Sequence, residues 1–530
     1  MTPTRRDFVA LLLGAPLAYA CRGGGDDVRT PPSVLLDTGM TRGHPAVRDA
    51  GAPPAVTAWR QARVVVIGAG IAGLTAAWEL RRRGVTDVVV LELCDVAGGT
   101  ARGGATDVTA YPWGAHYVVA PQPAQTDMIA LLGEMGAIEG HDAAGAPIID
   151  EALRCREPEE RVFYRGRWYE GLYLDAGSTA EDRRQLAVFK REIDEWAAWH
   201  DAAGARAFAI PTRASSPSPE VRALDQVSFA AWLDARELTS ERLRWLADYA
   251  CRDDYGLLAA DTSAWAGLFY FAARQRAAGV APQSVVTWPD GNHALVRHLA
   301  AGAAIETGVA VHEVREVAGG VEVVATGPHG PLGIRAAAAV VAVPGFVADR
   351  IVASRRGGPP APKGDYGAWC VANVHLRDRP RERSRGSAPP AWDNVFRDSP
   401  SLGYVSATHQ AGRDRGATVW TWYYPFPGDA VTTRKQLAGA GAAEWTEVVM
   451  TDLERAHPGV RALVEHVEIA FWGHGMIRPR VGSVWGRRPP DLDAASRVQI
   501  AHTDRSGLAL FEEAFDHGLA AARAIAGQLA

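Results

Sequence analysis

Cysteine is scarce, with five residues in 530, at Cys21, Cys94, Cys155, Cys251 and Cys370, and neither a CxxC pair nor a His/Cys pairing at metal-ligand spacing. That scatter speaks against structural zinc and iron–sulfur clusters. No metal site is expected, and most of the thiols read as buried small hydrophobes. There is no long basic run, and the formal net charge is -5, which argues against nucleic acid as a partner. No G-x-S-x-G elbow, Walker A loop or HExxH helix occurs, so hydrolase, phosphoryl-transfer and zinc-protease readings have nothing to rest on. No internal repeat is present, and the short N-terminal apolar stretch, interrupted by Pro16, does not reach bilayer-spanning length.

That N-terminus carries Thr4-Arg5-Arg6-Asp7-Phe8, an apolar stretch and Ala18-Tyr19-Ala20 before Cys21. It is similar to a twin-arginine export signal, whose pathway carries already folded, often cofactor-loaded proteins. The expectation is a signal peptide over 1–20 and an exported protein, periplasmic or at the cell surface. Cys21 leaves attachment through a lipid open, although Ala18 stands where a lipobox usually has leucine. Residues 21–60, rich in Gly and Pro, read as a flexible tether.

Beyond the tether an apolar run, Arg63–Ile67, bends through Gly68-Ala69-Gly70-Ile71-Ala72-Gly73 into a helix-like segment. A second apolar run, Asp87–Leu91, ends in Glu92, about twenty residues on, as a dinucleotide fingerprint requires. Gly68 makes the tight turn, Gly70 lets the backbone approach a pyrophosphate, and Gly73 lets helix and strand pack closely. The helix N-terminus offers unpaired N–H groups to the phosphates, and Glu92 is placed to accept from ribose hydroxyls. The doublet Gly98-Gly99 follows.

The length predicts two intergrown domains. Helical periodicity marks Leu186, Phe189, Ile193 and Trp196, then Leu243, Leu246 and Tyr249. Strand-like runs follow at 309–314, 320–325 and 338–344, then at 369–376, 417–424 and 467–472. A helix from about Leu508 packs through Phe511, Phe515, Leu519 and Ile525.

Four separated segments together resemble the flavin-containing amine oxidase superfamily, which includes phytoene-desaturase-like enzymes. They are Val64–Gly99, the loop Trp288-Pro289-Asp290-Gly291-Asn292-His293, the strand pair around Val311 and Ala338–Pro344, and Ala501–Gly518. The resemblance implies an α/β fold, with a Rossmann-like FAD-binding domain over 61–125, 285–350 and 495–530. An interleaved α+β substrate domain would cover 126–284 and 351–494. It implies FAD as cofactor, held by Gly68, Gly70, Gly73, Glu92, Gly98, Gly99, Arg102, Val311, Asp504 and Glu512. It also implies a substrate cleft over the isoalloxazine ring.

The departures bear on chemistry. Cys94, Val96 and Thr100 stand where the family commonly has arginines, with Arg102 two residues later, and His502 and Glu513 replace glycines. The strand run 367–375 lacks the lysine that many amine oxidases place opposite flavin N5, and Val371 aligns nearest to it. The catalytic candidates are His116, Trp472, His474 and Asn373. His116 is positioned to hydrogen-bond the flavin or take a proton from an ammonium substrate, with a packing role as the alternative. Trp472 would wall the cleft, with a core position as the alternative, and His474 or Arg478 would meet an anionic substrate group. Asp253 and Asp254 read either as a salt-bridged helix end or as a carboxylate pair attracting a cation.

The expected function is oxidation of an amine by hydride transfer to flavin N5, giving an imine that water hydrolyses, with oxygen or a periplasmic acceptor as partner. The alternatives are FAD-dependent desaturation or isomerisation of an apolar, isoprenoid-like substrate, and a non-catalytic flavin-binding surface protein.

Overall fold

The computed structural model describes residues 12, 30–48, 52–277, 279, 284–356, 365–381, 386–486 and 495–530. The leader (Leu12 apart) and Cys21 lie outside the described residues. Among the described residues no helix is long and apolar enough to cross a membrane.

The apolar run that opens the fingerprint becomes a central parallel strand, Trp59–Ile67, flanked by Val88–Leu91 and Gly330–Val341. Ala304–Glu306 extends the sheet beyond Val88–Leu91, and Val498–Ile500 pairs parallel with Gly330–Val341. Residues Val64–Ile67 are buried on both faces, as continuous apolar runs in parallel sheets require. The antiparallel strands Gly320–Gly327 and Ala310–Val317 complete this layer.

Two helices cover one face. Helix Ile71–Arg82 makes the crossover between the first two parallel strands, and the C-terminal helix Phe511–Leu529 lies against it. They approach closely because Gly518 has no side chain: a Cβ there would sit 2.4 Å from the Ala72 carbonyl oxygen. Leu74, Trp78, Phe515, Leu519 and Ile525 fill the shared core.

The second layer is an eight-stranded sheet. Its order runs Ser33–Leu36, Val464–Ile477, Tyr366–Leu376, Thr418–Phe426, Gly403–Ser406, Asp393–Phe396, Glu160–Tyr164 and Arg167–Glu170. Strand alternation divides its residues between two faces. Cys370, Ala372 and Val374 pack on helix Ala442–Ala456, while Trp369, Val371 and Trp472 face the interior between the domains. A helical layer built on Ala180–Ala198, Glu241–Tyr255 and Ala264–Ala272 closes the far side.

Two expectations change. Residues 30–48, read as tether, are built into the fold: Ser33–Leu36 forms the edge strand paired with Val467–Ala470, and the following segment lies against the interior cavity. Three apolar residues led by one polar residue, Ser-Val-Leu-Leu, suffice when an open sheet edge is available. The stretch after about residue 120, expected to be mostly helical, also contains the hairpin Glu160–Glu170. Its two-residue turn, Arg165-Gly166, has both residues at positive φ (48° and 80°), the primed geometry that matches strand twist.

Gly518→Ala should separate the two packed helices and cost about 1–3 kcal/mol, read as a lowered urea midpoint with an unchanged denaturant slope.

Candidate functional site

Between the two layers runs a cavity of about 700 Å³. One end begins at the glycine turn. Gly68 has φ +97°, and a Cβ there would meet the Ala342 carbonyl oxygen at 2.5 Å. A Cβ on Gly73 would lie 1.9 Å from the Gly68 oxygen, so Gly73 serves helix–strand packing and does not line the cavity. Gly70 differs from both: its backbone is extended, and nothing lies within 4 Å of an added Cβ. The space above Gly70 is cavity, the cradle a phosphate group needs.

Glu92 lines the same end. Its carboxylate accepts from the Ala69 amide at 2.7 Å and the Cys94 amide at 2.9 Å, tying the second strand to the turn. Gly98 (φ +122°) and Gly99 (φ +57°) bring the next loop against it, with Gly99 packed beside Gly70. Arg102 is 2% exposed; its Nε donates to the Gly99 carbonyl, and its guanidinium lies over the Trp113 and Trp472 rings. Its Nη2 is buried without a hydrogen-bond partner among the described residues. A buried guanidinium N–H left open is costly, and an anionic group in the cavity would satisfy it. Val309, Ala310 and Val311 line this end as well.

The C-terminal helix meets the cavity at Ala509–Glu512. Leu510 provides no side-chain cap, so the free N–H groups and positive dipole end remain available to electron-rich atoms. Glu512 lines the cavity and accepts from the Val119 amide at 3.4 Å. The open Gly70 cradle, the unsatisfied Arg102 and this helix end, strung along one cavity, fit a dinucleotide carrying a ring system.

At the other end, His116 packs among Tyr117, Trp392 and Tyr423 with ring centroids 4.9–5.3 Å away. Burial pushes its pKa down to about 4. A neutral imidazole so weakly basic does not suit the proton-accepting role expected of it. Trp369 and Val371 line the wall, so the position expected to lack a lysine does face the cavity as valine.

Four carboxyls gather behind this aromatic group. Asp254 receives Arg274 at 3.1 Å and the Tyr117 hydroxyl at 3.2 Å. Asp393 accepts from the Tyr249 hydroxyl at 2.9 Å. Asp253 lines the cavity and accepts no hydrogen bond among the described residues. Burial, then repulsion from Asp254 and Asp393, raises the Asp253 pKa well above the carboxylate range. Burial likewise raises Asp393 and Glu160 to about 8.

Other expected site residues fall elsewhere. Asn373 lies on the same strand face as Val371 but beyond the cavity, buried and accepting from the Thr421 hydroxyl at 2.8 Å. Asp504 turns from the cavity to the Gly345 amide, at 2.6 Å, and to the Tyr366 hydroxyl, while its neighbours His502 and Thr503 line the wall. Arg478 is buried against Asp365 and the Gly428 carbonyl, unavailable to an anionic substrate. His474 lines the cavity, but on the wall of Phe346 and Tyr366, apart from His116. Trp472 lines it too, its Nε1 donating to the Trp113 carbonyl at 2.8 Å. Sequence reading passed over Glu160, Asp393 and Tyr423, whose only signal was polar or aromatic character inside strand-like runs.

Gly70→Ala should leave apoprotein unfolding nearly unchanged, because nothing lies within 4 Å of the added Cβ, yet weaken dinucleotide affinity on the order of 100-fold, or about 2.7 kcal/mol. Fluorescence titration of the apoprotein reads it. A second expectation concerns pH. Asp393 and Glu160 hold their protons in the folded state up to about pH 8, whereas unfolded carboxyls release them near pH 4. Stability therefore falls as pH rises through that window, by up to about 1.4 kcal/mol per unit for each group. Asp393→Asn should flatten the decline in unfolding free energy between pH 5.5 and 8.

Comparison with known proteins agrees with this cavity. The family model described as flavin-containing amine oxidoreductase matches residues 71–526. Among solved structures, putrescine oxidase bound to putrescine shares 19% identity at a TM-score of 0.63, covering 88% of this chain and 99% of that one. Cyclohexylamine oxidase from Brevibacterium oxydans IH-35A shares 18% at 0.61, covering 89% and 100%. The CLA-producing fatty acid isomerase from P. acnes shares 16% at 0.59, covering 86% and 97%. No curated protein matches the chain. The chain belongs to the flavin-containing amine oxidoreductases, and it is an FAD-dependent oxidoreductase.

Proposed function

We propose that this enzyme oxidises a cationic amine at a carbon next to nitrogen. The observation that carries the reading is Asp253, a cavity-lining carboxyl that accepts no hydrogen bond among the described residues and stands beside Asp254 and Asp393. An ammonium group entering the cavity would relieve both its desolvation and its repulsion. Bound FAD supplies the hydride acceptor. The chain's own residues do the rest. Tyr117, Tyr423 and Trp369 offer flat apolar walls that orient a carbon–hydrogen bond and exclude water. As the ammonium binds, Asp253 releases its own proton to solvent, and the carboxylate so formed, made more basic by its surroundings, takes the ammonium proton, so that the nitrogen lone pair can assist departure of the hydride. Arg274 pairs with Asp254 beside it and offsets part of the burial that raises its pKa. No lysine is needed at Val371 for this route. The product imine is hydrolysed by water, with oxygen or a periplasmic acceptor taking the electrons onward.

Ile210, Phe269, Leu402 and Phe511 also line the cavity, which favours an apolar substrate for desaturation or isomerisation as the second reading. An open carboxyl at that end weighs against it, since burying one against hydrocarbon is costly. The Arg5-Arg6 leader supports export by the twin-arginine route, leaving the enzyme periplasmic or at the cell surface, with Cys21 as the attachment point if the leader is processed as a lipoprotein's.

Anaerobic addition of diamines, aralkylamines and cycloalkylamines to the FAD-loaded enzyme should bleach the flavin absorbance with at least one class. Asp253→Asn should then raise KM for that amine on the order of 10- to 100-fold, with FAD content unchanged. Bleaching by an isoprenoid or fatty acid and by no amine would favour the second reading.

A further inference from the structure

The eight-stranded sheet places a second constellation outside the flavin cavity. In the antiparallel ladder between Tyr366–Leu376 and Val464–Ile477, His375 stands directly opposite His466. Glu468, two residues along from His466, therefore shares its face. The two imidazoles stack at 4.0 Å with 13° between their planes. One ligand atom from each of His375, His466 and Glu468 lies within 4.8 Å of the others. We propose that these three residues bind one divalent transition-metal ion of the zinc or copper class.

Several observations point the same way. His375 is only 4% exposed, and its Nε2 is buried with no hydrogen-bond partner, 3.8 Å from the nearer Glu468 oxygen. A buried ring nitrogen left unpaired is uncommon, and here it is aimed at the carboxylate that would share the ion. Tyr111 donates to Glu468 Oε2 at 3.0 Å and sets its ring edge-on to His375 at 5.0 Å. This is the outer support that orients metal ligands. His466 is half-buried and leaves an entry path.

The donor set selects the ion. Two imidazoles and one carboxylate suit zinc, copper, nickel or cobalt better than magnesium or calcium, which prefer all-oxygen shells. Three protein ligands leave a fourth position for water. Donor atoms around a tetrahedral zinc lie about 3.3 Å apart, so the three side chains have to draw their ligand atoms together by up to about 1.5 Å, with the two ring planes tilting toward the ion. The site lies four residues beyond Val371 on the same strand, roughly 13 Å from the flavin-facing wall. It stands independently of the amine reading.

The experiment uses the full-length, FAD-loaded enzyme, stripped with chelator and dialysed against Zn²⁺ or Cu²⁺. One ion per chain should be retained, and the Cu²⁺ form should show electron paramagnetic resonance hyperfine structure from two imidazole nitrogens. His466→Ala and Glu468→Gln should each lower affinity by at least about 10-fold, with the flavin spectrum certifying a folded chain. Tyr111→Phe should weaken binding less. Sub-stoichiometric retention by the wild type would overturn the proposal. So would equal retention by His466→Ala and Glu468→Gln, which would place the ion elsewhere.

Discussion

Backbone pressed against backbone is the constraint on which this molecule depends. Three glycines remove side chains where main chains meet: Gly68 at the Ala342 carbonyl, Gly73 at the Gly68 carbonyl, and Gly518 at the Ala72 carbonyl. Together they clamp strand, turn, crossover helix and C-terminal helix into one unit. That unit aims two helix N-termini and the open Gly70 position into a single cavity. Without the close contacts, the N–H groups that face the cofactor would have no fixed direction, and preorganised donors lose much of their value when they must be reoriented.

The second layer uses the same cavity differently. Strand alternation gives the eight-stranded sheet an apolar face on helix Ala442–Ala456 and an aromatic face toward the cavity. Arg102 sits where the layers meet, its guanidinium over two indoles and its Nε on the Gly99 carbonyl. Weak hydration and planarity let arginine occupy such a stacked, buried position, which lysine could not fill equivalently. The family's usual arginine positions hold Cys94, Val96 and Thr100, and the charge arrives instead from two residues further on.

Much of the cofactor end was legible because its constraints are local in sequence. The turn glycines, Glu92 and the doublet Gly98-Gly99 act within about thirty residues of one another, and each needs a specific residue type for a backbone reason. The substrate end was not legible to the same degree. Asn373 shares a face with Val371, as alternation demands, but the cavity ends before reaching it. Asp504 has the chemistry of a cofactor ligand yet is captured by Gly345 and Tyr366. Glu160, Asp253 and Asp393 come from three separate elements, and only the sheet register brings two of them near the third. The pairing of His375 with His466 is of the same kind: ladder register makes it, and spacing along the chain says nothing of it.

The formal charge of -5 conceals a division within one cavity. At the glycine turn the wall offers N–H groups, a helix N-terminus and Arg102, all suited to an anion. Beyond His116 the balance reverses, with Asp253, Asp254, Asp393 and Glu160 near the guanidinium of Arg274. Carboxyls crowded in this way lose protons reluctantly, through burial first and, for Asp253, through repulsion from Asp254 and Asp393 second. A site built only to hold hydrocarbon gains nothing from such repulsion. Under the proposed reading the strain has a use. The resting carboxyls hold protons, an arriving cation displaces one of them to solvent and completes the charge balance, and the carboxylate so formed can then accept the substrate proton. The aromatic group of His116, Tyr117, Trp392 and Tyr423 then separates the two charge regimes. It keeps anionic cofactor groups and carboxyls from meeting, while leaving between them an apolar passage where a hydride can move.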